Sequence, residues 1–253
     1  MTHAEIFAGI SGFGLAADAI GWKTLFQVDS MAFARSILRK NYKDIKKYGK
    51  VEYFQEKEIE EYRGSVDVVS AGFPCQPFSN AGNQRGEQDP RFEWHHLLRI
   101  LQGIKPRFFV GENVAGLVEM EGGRIFESIC SDLENEGFEV QSFLIPAYAV
   151  GRNHIRRRIW IIAYPKCAGQ KGWIKQNKQE LLEGTPAWNK VCKAHEDQDK
   201  FISKPELLRG YDGFPARLDK DRIEVLGNSI VPYIAYELFA AIDTYDKVIK
   251  GIL

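Results

Sequence analysis

Apolar runs of strand length alternate with amphipathic segments of helix length along most of this chain, and that alternation restricts it to an α/β fold. The runs expected as strands are about residues 5–7, 24–28, 66–71, 108–111, 138–145 and 159–163. Between and after them lie helices. Residues 124–136 carry Ile125, Ile129 and Leu133 on one face and stop at Gly137, while 231–250 carry Pro232 in the first turn and a stripe of Ile234, Leu238 and Ile242. Such a pattern packs as a parallel sheet with helices on both faces. The 253 residues suffice for one domain of this kind and a small appendage. Between residues 164 and 208 the periodicity gives way to Lys, Gln, Asn and Gly with isolated Trp173 and Trp188, which marks a small second domain or a functional insertion. The chain has neither an internal repeat nor a low-complexity tract.

Composition narrows the function classes. The 34 basic residues are matched by 34 acidic ones, so any nucleic-acid surface must be local. The densest basic stretch is Arg152, Arg156, Arg157 and Arg158. Four cysteines without CxxC spacing or a nearby histidine array indicate neither a metal site nor a disulfide framework. A reducing compartment fits that usage. With no apolar run long enough to span a membrane and no signal peptide before the first strand, the cytoplasm is the expected location.

Five segments, and Asp29 beside the first of them, carry candidate chemistry. In Glu5–Leu15 a strand breaks into Gly9-x-x-Gly12-x-Gly14 and opens a helix, a turn that brings backbone close to a ligand. Its spacing is not the GxGxxG dinucleotide fingerprint. Asp29, at the end of the next strand, can accept hydrogen bonds from ribose hydroxyls or serve as the N-terminal acid of the following helix. Cys75, between Pro74 and Pro77 just after a buried strand, stands where an open α/β sheet binds ligands, so it is a candidate nucleophile or else a small buried thiol. Glu112 and Asn113 follow another apolar run, which favours a perturbed carboxyl over a surface acid. Arg156 and Arg158 lead into a strand and suit contacts to phosphate or carboxylate. Finally, Leu226-Gly227-Asn228-Ser229-Ile230-Val231-Pro232 turns into the C-terminal helix.

In this order the segments resemble the motifs of the cytosine-C5 DNA methyltransferase family, of the bacterial or phage type. The glycine turn resembles its cofactor motif, Gly72-Phe73-Pro74-Cys75-Gln76-Pro77-Phe78-Ser79 its nucleophile motif, Glu112-Asn113-Val114 its glutamate motif, and LGNSIVP its C-terminal motif. His154-x-Arg156-x-Arg158 resembles QxRxR, with histidine in place of the glutamine and Asn153 in place of the preceding proline.

The resemblance implies an AdoMet-dependent methyltransferase, Rossmann-like in its sheet, with a short target-recognition insertion. Residues 1–163 would form the catalytic AdoMet-binding domain, 164–208 the target-recognition region, and 209–253 a return segment completing the catalytic domain. It implies Cys75 as nucleophile, Glu112 as the acid at the base, and Arg156 and Arg158 beside them. For S-adenosyl-L-methionine it implies Phe7, Gly9, Ile10, Gly12 and Leu15, then Asp29 and Pro74, then Asn228 and Ser229. For the flipped cytosine and its DNA it implies Gln76, Ser79, Asn80 and Ala81, then Gln84 and Arg85 of a loop that closes on DNA, then Asn113 and Val114. Double-stranded DNA is the expected partner, met by a monomer, and a cognate restriction endonuclease would act separately. Methylation of cytosine in tRNA and a non-catalytic DNA-binding relative are the alternatives.

Overall fold

The computed structural model describes residues 1–74, 93–151, 156–166 and 229–252. Seven strands lie in one sheet: β1 (Thr2–Ile6), β2 (Lys23–Val28), β3 (Lys46–Tyr48), β4 (Val68–Ala71), β5 (Phe108–Val114), β6 (Phe138–Pro146) and β7 (Arg157–Pro165). Their order is β3-β2-β1-β4-β5-β7-β6. The helices are α1 (Gly12–Ala19), α2 (Ala32–Asn41), α3 (Glu56–Tyr62), α4 (Trp94–Ile104), α5 (Arg124–Asn135) and α6 (Pro232–Ile249). No described helix is long and apolar enough to cross a membrane.

Pairing is parallel from β3 through β5, as the alternation predicts, but β7 lies antiparallel between β5 and β6. The expected parallel sheet is therefore mixed. The physical reason is the link from β6 to β7, which is shorter than the dozen or so residues a crossover needs and so favours an antiparallel return. The strand β3 was not expected at all. Its Lys46-Lys47-Tyr48 sequence is short and polar, as suits the edge of a sheet. The first strand begins earlier than its apolar run, because His3 and Glu5 are polar yet buried.

Two cores flank the sheet. On one face Ile59, Leu97, Ile100 and Ile129 from α3, α4 and α5 pack on Ile6, Val69 and Phe109. On the other, Phe13 of α1 and Ile234, Phe239 and Ile242 of α6 pack on Val110 and Trp160. The α5 stripe is buried as expected, at Ile125, Ile129 and Leu133. In α6 the periodicity is met at Ile234 and Ile242, but Phe239 rather than Leu238 takes the central position, stacked on Trp22 at 4.7 Å and edge-on to His3 at 5.6 Å. Near its far end, α6 is pinned to the sheet by an Arg107–Asp246 ion pair, and Arg107 also reaches Asp67 at 3.6 Å.

The chain runs from β1 outward to β3 and then returns to place β4 on the other side of β1. That reversal opens a crevice at the carboxyl ends of β1 and β4, where open α/β sheets bind ligands. The glycine turn and the segment leading to Cys75 both start there.

Candidate active site

The turn after β1 runs through left-handed backbone. Phe7, Gly9 and Ser11 have φ of 57°, 54° and 70°. For the two non-glycine residues this costs about 1–2 kcal/mol each, so something must hold them. Ser11 donates through Oγ to Glu5 Oε2 at 2.7 Å, and its own amide is held by Ala8 O at 2.7 Å. Gly9 donates its N–H to Asp29 Oδ2 at 2.7 Å, which ties the turn to the end of β2. A Cβ at Gly9 would meet nothing within 4 Å, so the turn faces open space, a cradle of the kind that a cofactor fills. A Cβ at Gly12, by contrast, would strike the Ile230 side chain, and one at Gly14 would strike Ser11 Oγ.

Asp29 serves at the start of the following helix, one of the roles its position allowed, and also ties down the glycine turn. Its Oδ1 accepts from Met31 N at 2.8 Å at the start of α2 while Oδ2 holds Gly9. Each oxygen keeps a second lone pair for a ribose hydroxyl. Burial raises its carboxyl above the ordinary value, against the bonds from Gly9 and Met31 and the attraction of Arg35. Ile10 is half-buried, whereas Leu15 on α1 is exposed.

Glu112 sits inside β5 rather than beyond its end, because β7 continues the pairing and sets Glu112 opposite Trp160 after β4 has stopped at Ala71, opposite Gly111. It is 6 % exposed. Its Oε1 lies 3.0 Å from Arg158 Nε, without the alignment of a good hydrogen bond. Burial raises the Glu112 carboxyl and the Arg158 and Arg156 cations oppose that rise, so on balance it keeps a proton more readily than a free glutamate. Arg156 is pushed below the ordinary guanidinium range by burial and by Arg158.

A Cβ on Gly72 would lie 3.7 Å from Ile230 Cγ2, 3.9 Å from Glu112 Oε2 and 4.0 Å from Phe7 O. One point thus joins the glycine turn, the segment leading to Cys75, the glutamate strand and the C-terminal segment. Asn113 adds a second link, donating from Nδ2 to Phe73 O at 3.0 Å while its Oδ1 takes the Val114 amide at 2.8 Å. Its buried amide is engaged by the chain itself, and Val114 beside it is exposed. Phe73 is wedged against Trp94 at 5.3 Å, fixing the backbone that delivers Pro74.

Cys75, Gln76, Ser79, Asn80, Ala81, Gln84, Arg85, His154 and Asn228 lie outside the described residues, as do residues 167–208 of the expected 164–208 region, whose first two residues end β7. Ser229 lies at the edge of the site, its Oγ donating to Ile230 O at 3.2 Å. Among described residues, sequence reasoning missed Glu5, Ser11 and Gln27, whose side chains meet beneath the glycine turn. A glutamate inside a strand, just before the glycine turn, was the signal for them.

The model of the C-5 cytosine-specific DNA methylase family matches residues 1–211. Over 141 residues the chain is 36 % identical to the type II methyltransferase M.PspPI of Psychrobacter sp. (strain TA137), covering 54 % of this chain and 32 % of that protein. It is 32 % identical over 209 residues to M1.ScrFI of Lactococcus lactis subsp. cremoris, covering 82 % and 52 %. The chain therefore spans about a third to a half of the length of such curated relatives. Among solved structures its fold is similar to a DNMT2 mutant of Spodoptera frugiperda, with a TM-score of 0.65, 15 % identity and 94 % and 98 % of the two chains covered. The methyltransferase EhMeth of Entamoeba histolytica matches with a TM-score of 0.64, 18 % identity and coverage of 94 % and 96 %. With the sheet order and the shared point at Gly72 already established, the chain belongs to the C-5 cytosine-specific DNA methylase family.

Proposed function

We propose that this protein transfers a methyl group from S-adenosyl-L-methionine to C5 of a cytosine turned out of duplex DNA, through a covalent bond between Cys75 and C6. The observation that carries this reading is the buried Glu112, 3.0 Å from Arg158 and next to the backbone of Gly72 that leads into Cys75. Cytosine C5 is a poor nucleophile. Addition of the Cys75 thiolate to C6 pushes electron density toward C5, and a proton held by Glu112 meets the charge that builds at N3. The raised carboxyl of Glu112 suits that donor role. Arg158 orients the carboxyl, and Arg156 is available to the base or the backbone phosphate. The cofactor, when bound, supplies the methyl group as an electrophile and leaves as S-adenosyl-L-homocysteine. Loss of the C5 proton then breaks the C6–sulfur bond and frees Cys75.

The turn from Phe7 to Gly12 and the Asp29 carboxylate would hold the cofactor, and Asn228 and Ser229 are assigned to it as well. A base within a duplex cannot reach a thiol, so flipping it, at a cost of about a few kcal/mol, falls to the loop with Gln84 and Arg85. Residues 164–208, with their lysines and two tryptophans, are assigned to reading the target.

Transfer of labelled methyl to mixed-sequence duplex DNA tests the proposal. The wild-type protein is expected to label cytosine, and Cys75→Ala to lose at least about a thousandfold in rate, as for removal of a covalent nucleophile. Labelling of RNA but not DNA would overturn the substrate. Equal labelling by Cys75→Ala would overturn the covalent route.

A further inference from the structure

We infer that Glu5 is a positioning residue for the cofactor turn: from within β1 its ionised carboxylate holds Ser11 and the start of α1 in the shape that receives S-adenosyl-L-methionine. This rests on reading the glycine turn as the cofactor site. Glu5 is 1 % exposed, so it acts through the turn and not by touching the ligand.

Its carboxylate gathers donors from three elements. Ser11 Oγ donates to Oε2 at 2.7 Å, the Phe13 amide to Oε1 at 3.1 Å, and Gln27 Nε2 on β2 to Oε2 at 3.0 Å, with the Gly14 amide also directed at it. Gln27 Nε2 donates in addition to Ser11 Oγ at 2.6 Å, which closes a ring of three side chains. An ordinary α1 would be capped by the side chain of Ser11, its N-cap residue. Here Ser11 makes no such bond, and its hydroxyl points to Glu5, which satisfies the amides of the first turn instead. Gly14 completes the device, since a side chain there would collide with Ser11 Oγ.

The hydrogen bonds of this cluster favour a negative charge, which burial opposes. Every group directed at Glu5 is a donor in this arrangement. Were Glu5 to take up a proton, it would need an acceptor, and the choices beside it are Gln27 Oε1 and Tyr42 Oη, both buried without a partner, and Ser11 Oγ. Using Gln27 Oε1 turns the amide over and withdraws Nε2 from Ser11, and using Ser11 Oγ turns its hydroxyl away from Glu5, so either rearranges the bonds that hold the strained turn. Burial pushes the Glu5 carboxyl up to about 7, against the bonds from Ser11, Gln27, Gly14 and Phe13. The neutral form is therefore within reach near neutrality. The titratable groups around it are His3 on the same face of β1, engaged by Thr24 and Ser70, Asp18 on α1, and Tyr42 after α2.

Calorimetric titration of the full chain with S-adenosyl-L-methionine, from pH 6 to pH 8, tests this without any catalytic readout. If only ionised Glu5 shapes the turn, a carboxyl titrating near 7 makes the Kd about tenfold weaker at pH 6 than at pH 8. Binding at pH 6.5 should release about 0.8 proton, read from the dependence of the heat on buffer ionisation. Glu5→Gln should weaken binding at pH 8 about tenfold, raise the cofactor KM far more than it lowers kcat, and remove the pH dependence. A pH slope that survives in Glu5→Gln would overturn the inference by assigning the proton to Asp29 or to the ligand. Binding by the wild-type protein without proton release would overturn it too, whether or not the variant folds. Wild-type protein that binds no S-adenosyl-L-methionine at any pH would instead overturn the cofactor reading itself.

Discussion

A single glutamate marks the chemistry at the residue scale. Glu112 is buried and faces two arginines, yet desolvation outweighs their attraction and its carboxyl is raised. That balance favours a proton donor at the active pH. Glu112→Gln keeps the volume and removes the proton, so it should lower kcat about a hundredfold to ten-thousandfold, with the fold intact by circular dichroism. The wild-type rate should fall as pH rises through the raised Glu112 value, since the donor form is lost there, and the variant should lack that alkaline limb. Single-turnover methyl transfer across a pH series measures both. Asn113 works at the same scale by a different route, fixing Phe73 and with it the backbone just before Pro74.

At the scale of elements, the site depends on close approach between segments from opposite ends of the chain. Gly12 opens α1, and its missing side chain leaves room for Ile230, the residue that enters α6. Gly12→Ala should therefore destabilise the protein by about 1–3 kcal/mol, the usual cost of overpacking. Trimming the obstacle in Gly12→Ala/Ile230→Ala should return part of that loss, which a double-mutant cycle of thermal melts would read as coupling. Additive effects would show that the two positions do not meet. Antiparallel β7 acts at this scale as well, because its pairing beyond the end of β4 places Glu112, Trp160 and Arg158 side by side.

For the whole molecule, two buried titratable groups on one face of β1 give stability a defined pH profile. Burial pushes His3 down to about 3, so the unfolded chain takes a proton that the folded one refuses. Its contribution is complete above about pH 6.5 and is lost as pH falls toward 3. Glu5, raised to about 7, has the opposite sign, stabilising below its unfolded value near 4.5 and losing that effect as pH rises through 7. The two slopes offset between about pH 4.5 and 6.5, and each amounts to about 1.4 kcal/mol per pH unit where it stands alone. Melting temperature should then form a plateau across that interval, and His3→Gln should flatten the acid limb below it. The sequence by itself determined the α/β class and the positions of six strands and of α5 and α6, because periodicity and strand-end loops are local properties. It was silent on β3, on the antiparallel insertion of β7, on the bond from Gly9 to Asp29, and on the use of Asn113 by its own backbone. Tertiary structure alone decided that Glu5, Ser11 and Gln27 share one network and that Gly12 must make room for Ile230. Those outcomes depend on which distant segments the sheet order brings into contact, and a buried polar group declares its role only when its partners are in place.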